Sequence, residues 1–194
     1  NQVAYSMQNV DVQAMREAWS NLLNRYTILR TSFVWENLEQ PEQCVHAQVD
    51  VPMLVEDWMR LTPSEQESKL RATLKDDREK GFDFHQAPLL RVYLFQLSYT
   101  DWYFIFSHHH LLLDGWSKNQ LNMELRAFYE GARTGATPRL KPARPFRAYI
   151  DYLASRDVAE DENFWRDYLA GIRTVTPLPA ELSATHRLGR KLRF

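Results

Sequence analysis

FSHHHLLLDGWS, Phe106–Ser117, is the stretch on which the reading of this 194-residue chain turns. It follows an apolar, β-prone run at Trp102–Ser107 and leads into a segment where Leu121, Leu125 and Phe128 recur at helical spacing. A strand, a tight turn and a helix are therefore predicted, with the polar residues gathered at the junction. If the strand continues through the histidines, alternate side chains share a face. Phe104, Phe106, His108 and His110 then point one way, and Ser107 and His109 the other. Adjacent histidines on opposite faces serve different purposes: one faces a cavity while its neighbour is held in the structure.

Three consecutive histidines invite a metal reading. Ligands must converge, as in HExxH, where residues i and i+4 share a helix face. Consecutive residues at a strand end diverge, and no other Cys/His cluster completes a site, so metal binding is disfavoured. For His108 the preferred reading is a satisfied polar group at a strand end. His110 is different, because Asp114-Gly115 follows four residues later, at a turn before a helix. Glycine there permits positive φ or the close approach of another molecule. Asp114 brings a carboxylate that orients the histidine or anchors its loop to a cation. A histidine held beside an open turn suits proton transfer.

Working outward, Leu89–Leu97 and Trp102–Ser107 form a predicted hairpin across the polar turn Ser98–Asp101. Upstream, Val12, Met15, Trp19, Leu22, Leu23 and Tyr26 mark an amphipathic helix over Asp11–Tyr26. Thr27–Trp35 is β-rich and predicts a strand, with a second short strand within Gln40–Val51 ending at Pro52. Thr62, Pro63 and Glu65 open a charged, solvated helix that Gly81 closes. Downstream, the helix from Trp116 to Tyr129 is expected to stop at Gly131, and Thr134–Pro145 reads as a loop. Pro145–Leu169 is mostly helical with a break near Ser155–Glu160. Thr174–Ala180 reads as a linker and His186–Phe194 as a basic strand. The mixture is α+β or α/β.

Composition bounds the alternatives. Hydrophobic residues make up 44% and charged residues 25%, an ordinary globular balance. A formal net charge of -1 gives no electrostatic reason to expect nucleic acid or an anionic membrane as partner. No apolar run approaches the roughly 20 residues needed to span a bilayer. Cys44 is the only cysteine, which suits a reducing cytoplasm. The chain begins at Asn1 with no signal-peptide pattern, and the missing Met predicts residues upstream.

HHLLLDG at His109–Gly115 resembles the HHxxxDG signature of the condensation-domain superfamily, which includes chloramphenicol acetyltransferase-like acyltransferases. With Trp116-Ser117 the stretch is similar to condensation domains of nonribosomal peptide synthetases in particular. Four further segments agree in order: ILRTSF at Ile28–Phe33, GFDFHQAPLLRVYL at Gly81–Leu94, FRAYIDYLASRD at Phe146–Asp157 and FWRDYLAG at Phe164–Gly171. The resemblance implies a chloramphenicol acetyltransferase-like α/β fold, an α+β sandwich with a mixed sheet flanked by helices. Residues 1–172 would be the N-terminal lobe and 173–194 a linker and crossover toward a C-terminal lobe.

The resemblance also implies the roles. His110 matches the active-site histidine, and His109, the first motif histidine, is structural support within the same catalytic segment. Asp114 matches an aspartate ion-paired with the arginine of the LRT strand, here Arg30. Gly115 matches a glycine lining the donor-thioester tunnel, with Trp116 and Ser117 as structural support. The implied reaction is aminolysis of a thioester, the amine and acyl groups riding on phosphopantetheine arms of donor and acceptor peptidyl carrier proteins. No cofactor bound by this chain is expected, and without the second lobe the fragment is expected to be inactive. An epimerisation domain usually lacks Gly-Trp-Ser after the motif, and a heterocyclisation domain replaces both histidines with aspartates. A starter or ester-forming condensation domain and a catalytically silent carrier-binding platform stay open as alternatives.

Overall fold

The chain opens with a strand that its own sequence does not announce. In the computed structural model, which describes residues 1–173, β1 spans Gln2–Gln8 and pairs antiparallel with the motif strand, Val3 opposite Phe106. Next comes the expected helix, α1 (Val12–Arg25), capped by the Asp11 carboxylate, which accepts from the Ala14 N–H at 2.9 Å. It buries Ala14, Met15, Ala18, Trp19, Leu22 and Leu23. Val12 and Tyr26, at the ends of the predicted stripe, are half-buried.

Thr27–Trp35 departs from expectation. Its first four residues, Thr27–Arg30, form a 3-10 turn, and β2 is confined to Thr31–Val34. Packing overrides β propensity here: the turn drops Leu29 fully into the core, and the Thr31 hydroxyl donates back to the Thr27 carbonyl at 2.9 Å. Strand β2 pairs antiparallel with β3 (Glu42–Val45) in a small separate sheet. Pro52 does not end the strand region but precedes another strand, β4 (Met53–Asp57).

Helix α2 (Pro63–Lys80) carries the capping box read from Thr62 and Glu65, and Gly81 follows it with φ of 60°. It is not wholly solvated. Leu70 and Leu74 pack on a cluster built from Trp58, Phe95 and Ile105, and Asp77 is buried. The predicted hairpin is β5 (Leu90–Gln96) with β6 (Asp101–His108). Strand β4 runs parallel to β5, so the four-stranded sheet, in the order β1-β6-β5-β4, is mixed.

Alternation along β6 assigns the two faces. Phe104 and Phe106 join Trp19 and the buried residues of α1 in the main core, with Leu121 and Leu125 from α3 (Gly115–Thr134). Ile105 lies in the α2 cluster instead. Arg91, Tyr93 and Gln2 converge on Asp77: Arg91 Nε, the Tyr93 hydroxyl and Gln2 Nε2 each donate to its carboxylate at 2.6 Å. Helix α3 runs past the expected stop at Gly131 and ends at Gly135, which adopts the left-handed conformation. Gly131 serves a different purpose, since a Cβ there would meet the Ala136 carbonyl oxygen at 2.6 Å. Only glycine lets the departing chain lie so close.

Residues Asn1–Ile150 make one compact unit, and Asp151 begins a second. Helix α4 (Phe146–Ala154) and, after a break at Ser155–Asp157, α5 (Val158–Tyr168) follow as the sequence predicts. On α5, Phe164 stacks with Tyr168 at 5.7 Å, and both rings are largely exposed. The linker expected at Thr174–Ala180 and the strand expected at His186–Phe194 lie outside the described residues.

Candidate active site at the end of β6

Strand β6 stops at His108, so the alternation that would pair His108 with His110 stops there too. Past it the chain turns. His109 N–H donates to the Leu89 carbonyl at 2.9 Å, and the Leu112 N–H to the His109 carbonyl at 3.1 Å. Leu112 and Leu113 are buried anchors, and α3 begins two residues later.

Each histidine has a different environment. The ring of His109 meets Phe84 edge-on at 4.7 Å, and its Nδ1 accepts from the Leu111 N–H at 3.2 Å. Burial pushes its imidazole below the usual range, so it is neutral near pH 7. His110 is exposed, and its Nδ1 lies 2.7 Å from the Leu113 carbonyl oxygen. A carbonyl only accepts, so Nδ1 carries a proton, and in the neutral ring Nε2 is then the lone-pair acceptor. His108 stacks on Phe106 at 4.7 Å and is buried, yet its Nδ1 has no hydrogen-bond partner among the described residues. The satisfied polar group expected there is thus a buried but unsatisfied one. Among the described residues no group of His, Cys, Asp or Glu converges as metal ligands do.

Asp114 caps α3, accepting the Ser117 N–H at 2.7 Å. That bond heads the causes holding its carboxyl below the usual carboxylate range. The ion pair expected with Arg30 is not formed. Arg30 Nε donates to the Leu23 carbonyl at 2.7 Å, and Nη1 donates to the Ala47 carbonyl at 3.0 Å and to that of His46. Asp114 is exposed. The premise of a buried carboxylate in need of a counter-ion fails, and the helix N-terminus supplies its partners.

Gly115, the first residue of α3, does not take positive φ, and a Cβ built there meets nothing within 4 Å. The space beside it belongs to a cavity of about 200 Å³ lined by His108, His110, Asp114, Gly115, Lys118 and Gln2. Sequence reasoning missed His108, Lys118 and Gln2 as cavity residues. Lys118 directly follows the quoted motif, one position beyond where the reading stopped. Trp116 points elsewhere, 87% exposed, beside an apolar recess that also takes in Ile28, Leu29 and Phe146.

The mixed sheet and the motif turn define the HHxxxDG class of fold to which the sequence pointed. The Condensation domain family model matches residues 1–191, and the chain belongs to that family. It is 42% identical over 177 residues to one of the linear gramicidin synthase proteins of Brevibacillus parabrevis, covering 91% of this chain and 3% of that protein. Bacitracin synthase 3 of Bacillus licheniformis is 31% identical over 170 residues, covering 88% of this chain and again 3% of the relative. Among solved structures, VibH, an NRPS condensation enzyme, superposes with a TM-score of 0.71 at 22% identity, covering 91% of this chain and 41% of VibH. The starter condensation domain of rhizomide synthetase gives 0.74 at 17%, covering 88% of this chain and 42% of that one. At these identities the two structures show a shared fold. The chain therefore spans a few per cent of the synthases it resembles and under half of the solved enzymes.

Proposed function

We propose that this chain carries the catalytic histidine of an amide-forming condensation reaction in nonribosomal peptide assembly. The acyl donor is a thioester on one carrier protein, and the nucleophile is the α-amine of an aminoacyl thioester on the next. Phosphopantetheine arms of both carriers bring these groups to the cavity at the end of β6. Residues 1–172 act as the N-terminal lobe, and the reaction needs the second lobe, so the fragment alone is inactive. The setting is the cytoplasm; among the described residues no helix is long and apolar enough to cross a membrane.

The observation that carries this reading is the His110 Nδ1 to Leu113 carbonyl bond, which fixes Nε2 as an acceptor beside an open cavity. An α-amine titrates at about 7.7–8.0, so a useful fraction is neutral without help. Its N–H becomes strongly acidic only as the C–N bond forms, and an acceptor at Nε2 is then in place to take it. Holding both carriers' substrates together supplies much of the remaining acceleration. His109, half-buried against Phe84, supports the turn, and Gly115 leaves room for the donor thioester.

The test is His110→Ala in the full-length synthetase with loaded carriers. Peptide-bond formation collapses while the variant folds as the parent does; unchanged turnover would refute the assignment.

A further inference from the structure

We propose that His108 is a second working imidazole of this cavity, donating a hydrogen bond from Nε2–H to the carbonyl oxygen of the acyl substrate. The inference rests on the condensation reading above and adds to it a residue outside the HHxxxDG pattern.

His108 is the last residue of β6, 3% exposed, with its ring stacked on Phe106 and lining the same cavity as His110. Its Nδ1 is sealed from solvent without a hydrogen-bond partner among the described residues. Buried polar groups are normally paired, and one that is not calls for an explanation. The preceding inward positions, Phe104 and Phe106, are filled by phenylalanine, which would fill this place without the cost of an unpaired polar atom.

Burial above all pushes the His108 ring down to about 4, so it is neutral at cytoplasmic pH. A neutral imidazole has one N–H and one lone pair. Orphaned buried donors are rarer than under-satisfied acceptors, so the sealed Nδ1 keeps the lone pair and Nε2 carries the proton. His110 is its complement, with Nδ1–H committed to Leu113 and Nε2 accepting. The cavity therefore holds one neutral donor and one acceptor. Thioester aminolysis presents the matching pair, a carbonyl oxygen that gains charge and an amine that loses a proton.

In that step the amine nitrogen bonds to the carbonyl carbon, and the C=O π pair moves onto oxygen. His108 stabilises this oxygen by hydrogen bonding and keeps its proton. His110 takes the proton from the attacking nitrogen; the pair on oxygen then re-forms the C=O as the C–S bond breaks, and His110 returns the proton to the departing sulfur. A neutral imidazole serves as donor here because it needs no charge of its own to polarise a carbonyl.

The test compares H108F, H108Q and H110A in the full-length synthetase with loaded donor and acceptor carriers. H108F is expected to lower the condensation rate by about 10²-fold with no drop in melting temperature, since it removes an unpaired polar atom. H108Q, which keeps an N–H donor, is expected to recover about a tenth or more of the parental rate. If H108F does not fold, H108M, which also lacks the donor, takes its place. Parental turnover in the variant without a donor, or H108Q no faster than it, overturns the role of His108. H110A at full rate instead refutes the catalytic role of His110, the reading on which this proposal rests.

Discussion

Replacing Asp77 with alanine should unfold more than a surface residue of a charged helix would. Asp77 sits in α2, 4% exposed, and accepts from Arg91, Tyr93 and Gln2 at 2.6 Å each. The Arg91 guanidinium is itself held against the helix end, with Nη1 on the Gly81 carbonyl and Nη2 on the Asp77 carbonyl. D77A leaves a shielded cation, a phenol and an amide without their acceptor. Removing one partner of a buried pair costs about 3–5 kcal/mol, a large fraction of a domain's usual 5–15 kcal/mol. Urea unfolding of the complete domain, followed by tryptophan fluorescence, reads the loss as a lower midpoint. The double variant D77L/R91M, which removes both charges, should recover the part owed to the stranded cation, leaving the Tyr93 hydroxyl and Gln2 amide still without their acceptor.

The pH dependence follows from the same site. Burial works to raise the Asp77 carboxyl, but donors from Ser107, Tyr93, Gln2 and Arg91 outweigh it and hold the group below its usual value. A depressed folded pKa contributes stability that is fully present above the unfolded value of about 3.9. That stability is lost as pH falls through the folded value, so the parent and D77A should converge in strongly acid solution. A loss below about 1 kcal/mol at pH 7, or no convergence in acid, refutes the assignment of Asp77 as the anchor of α2.

Two further outcomes are expected. A double-mutant cycle on R30A and D114A should give a coupling within about 0.5 kcal/mol of zero, because the two side chains have separate partners; D114A alone should cost about 1 kcal/mol as a lost helix cap. G115V should melt within about 1 kcal/mol of the parent, since its side chain enters open space, while condensation in the complete protein falls because the cavity beside His110 narrows.

Much of this was legible in the sequence where local chemistry decides local structure. The stripe of α1, the Thr62–Glu65 box and the β5–β6 hairpin are each written in neighbouring residues. Strands β1 and β4 were not, because both lie at the edges of the main sheet and acquire their meaning from distant partners, Val3 from Phe106 and Met53 from Val92. Thr27–Arg30 reads as strand by propensity, but Leu29 is wanted in the core. Asp77 hides in a run of charges, and only the fold brings Arg91 and Tyr93 to it. The site was readable as a cluster, His110 included, yet the partners were not. Resemblance paired Asp114 with Arg30, whereas a helix N-terminus and three backbone carbonyls took those roles.

The bond from His110 to Leu113 has an evolutionary consequence. Its acceptor is main chain, so no single codon change at position 113 removes the oxygen that sets the ring's tautomer. Of the side chains between His110 and Asp114, Leu112 and Leu113 are buried and seat the turn, and none of the three leucines carries a titratable group. Substitutions there that keep the turn leave the acceptor of the His110 ring in place. Lesions that disturb the tautomer should therefore be insertions and deletions that change the length of the turn, and not substitutions within it.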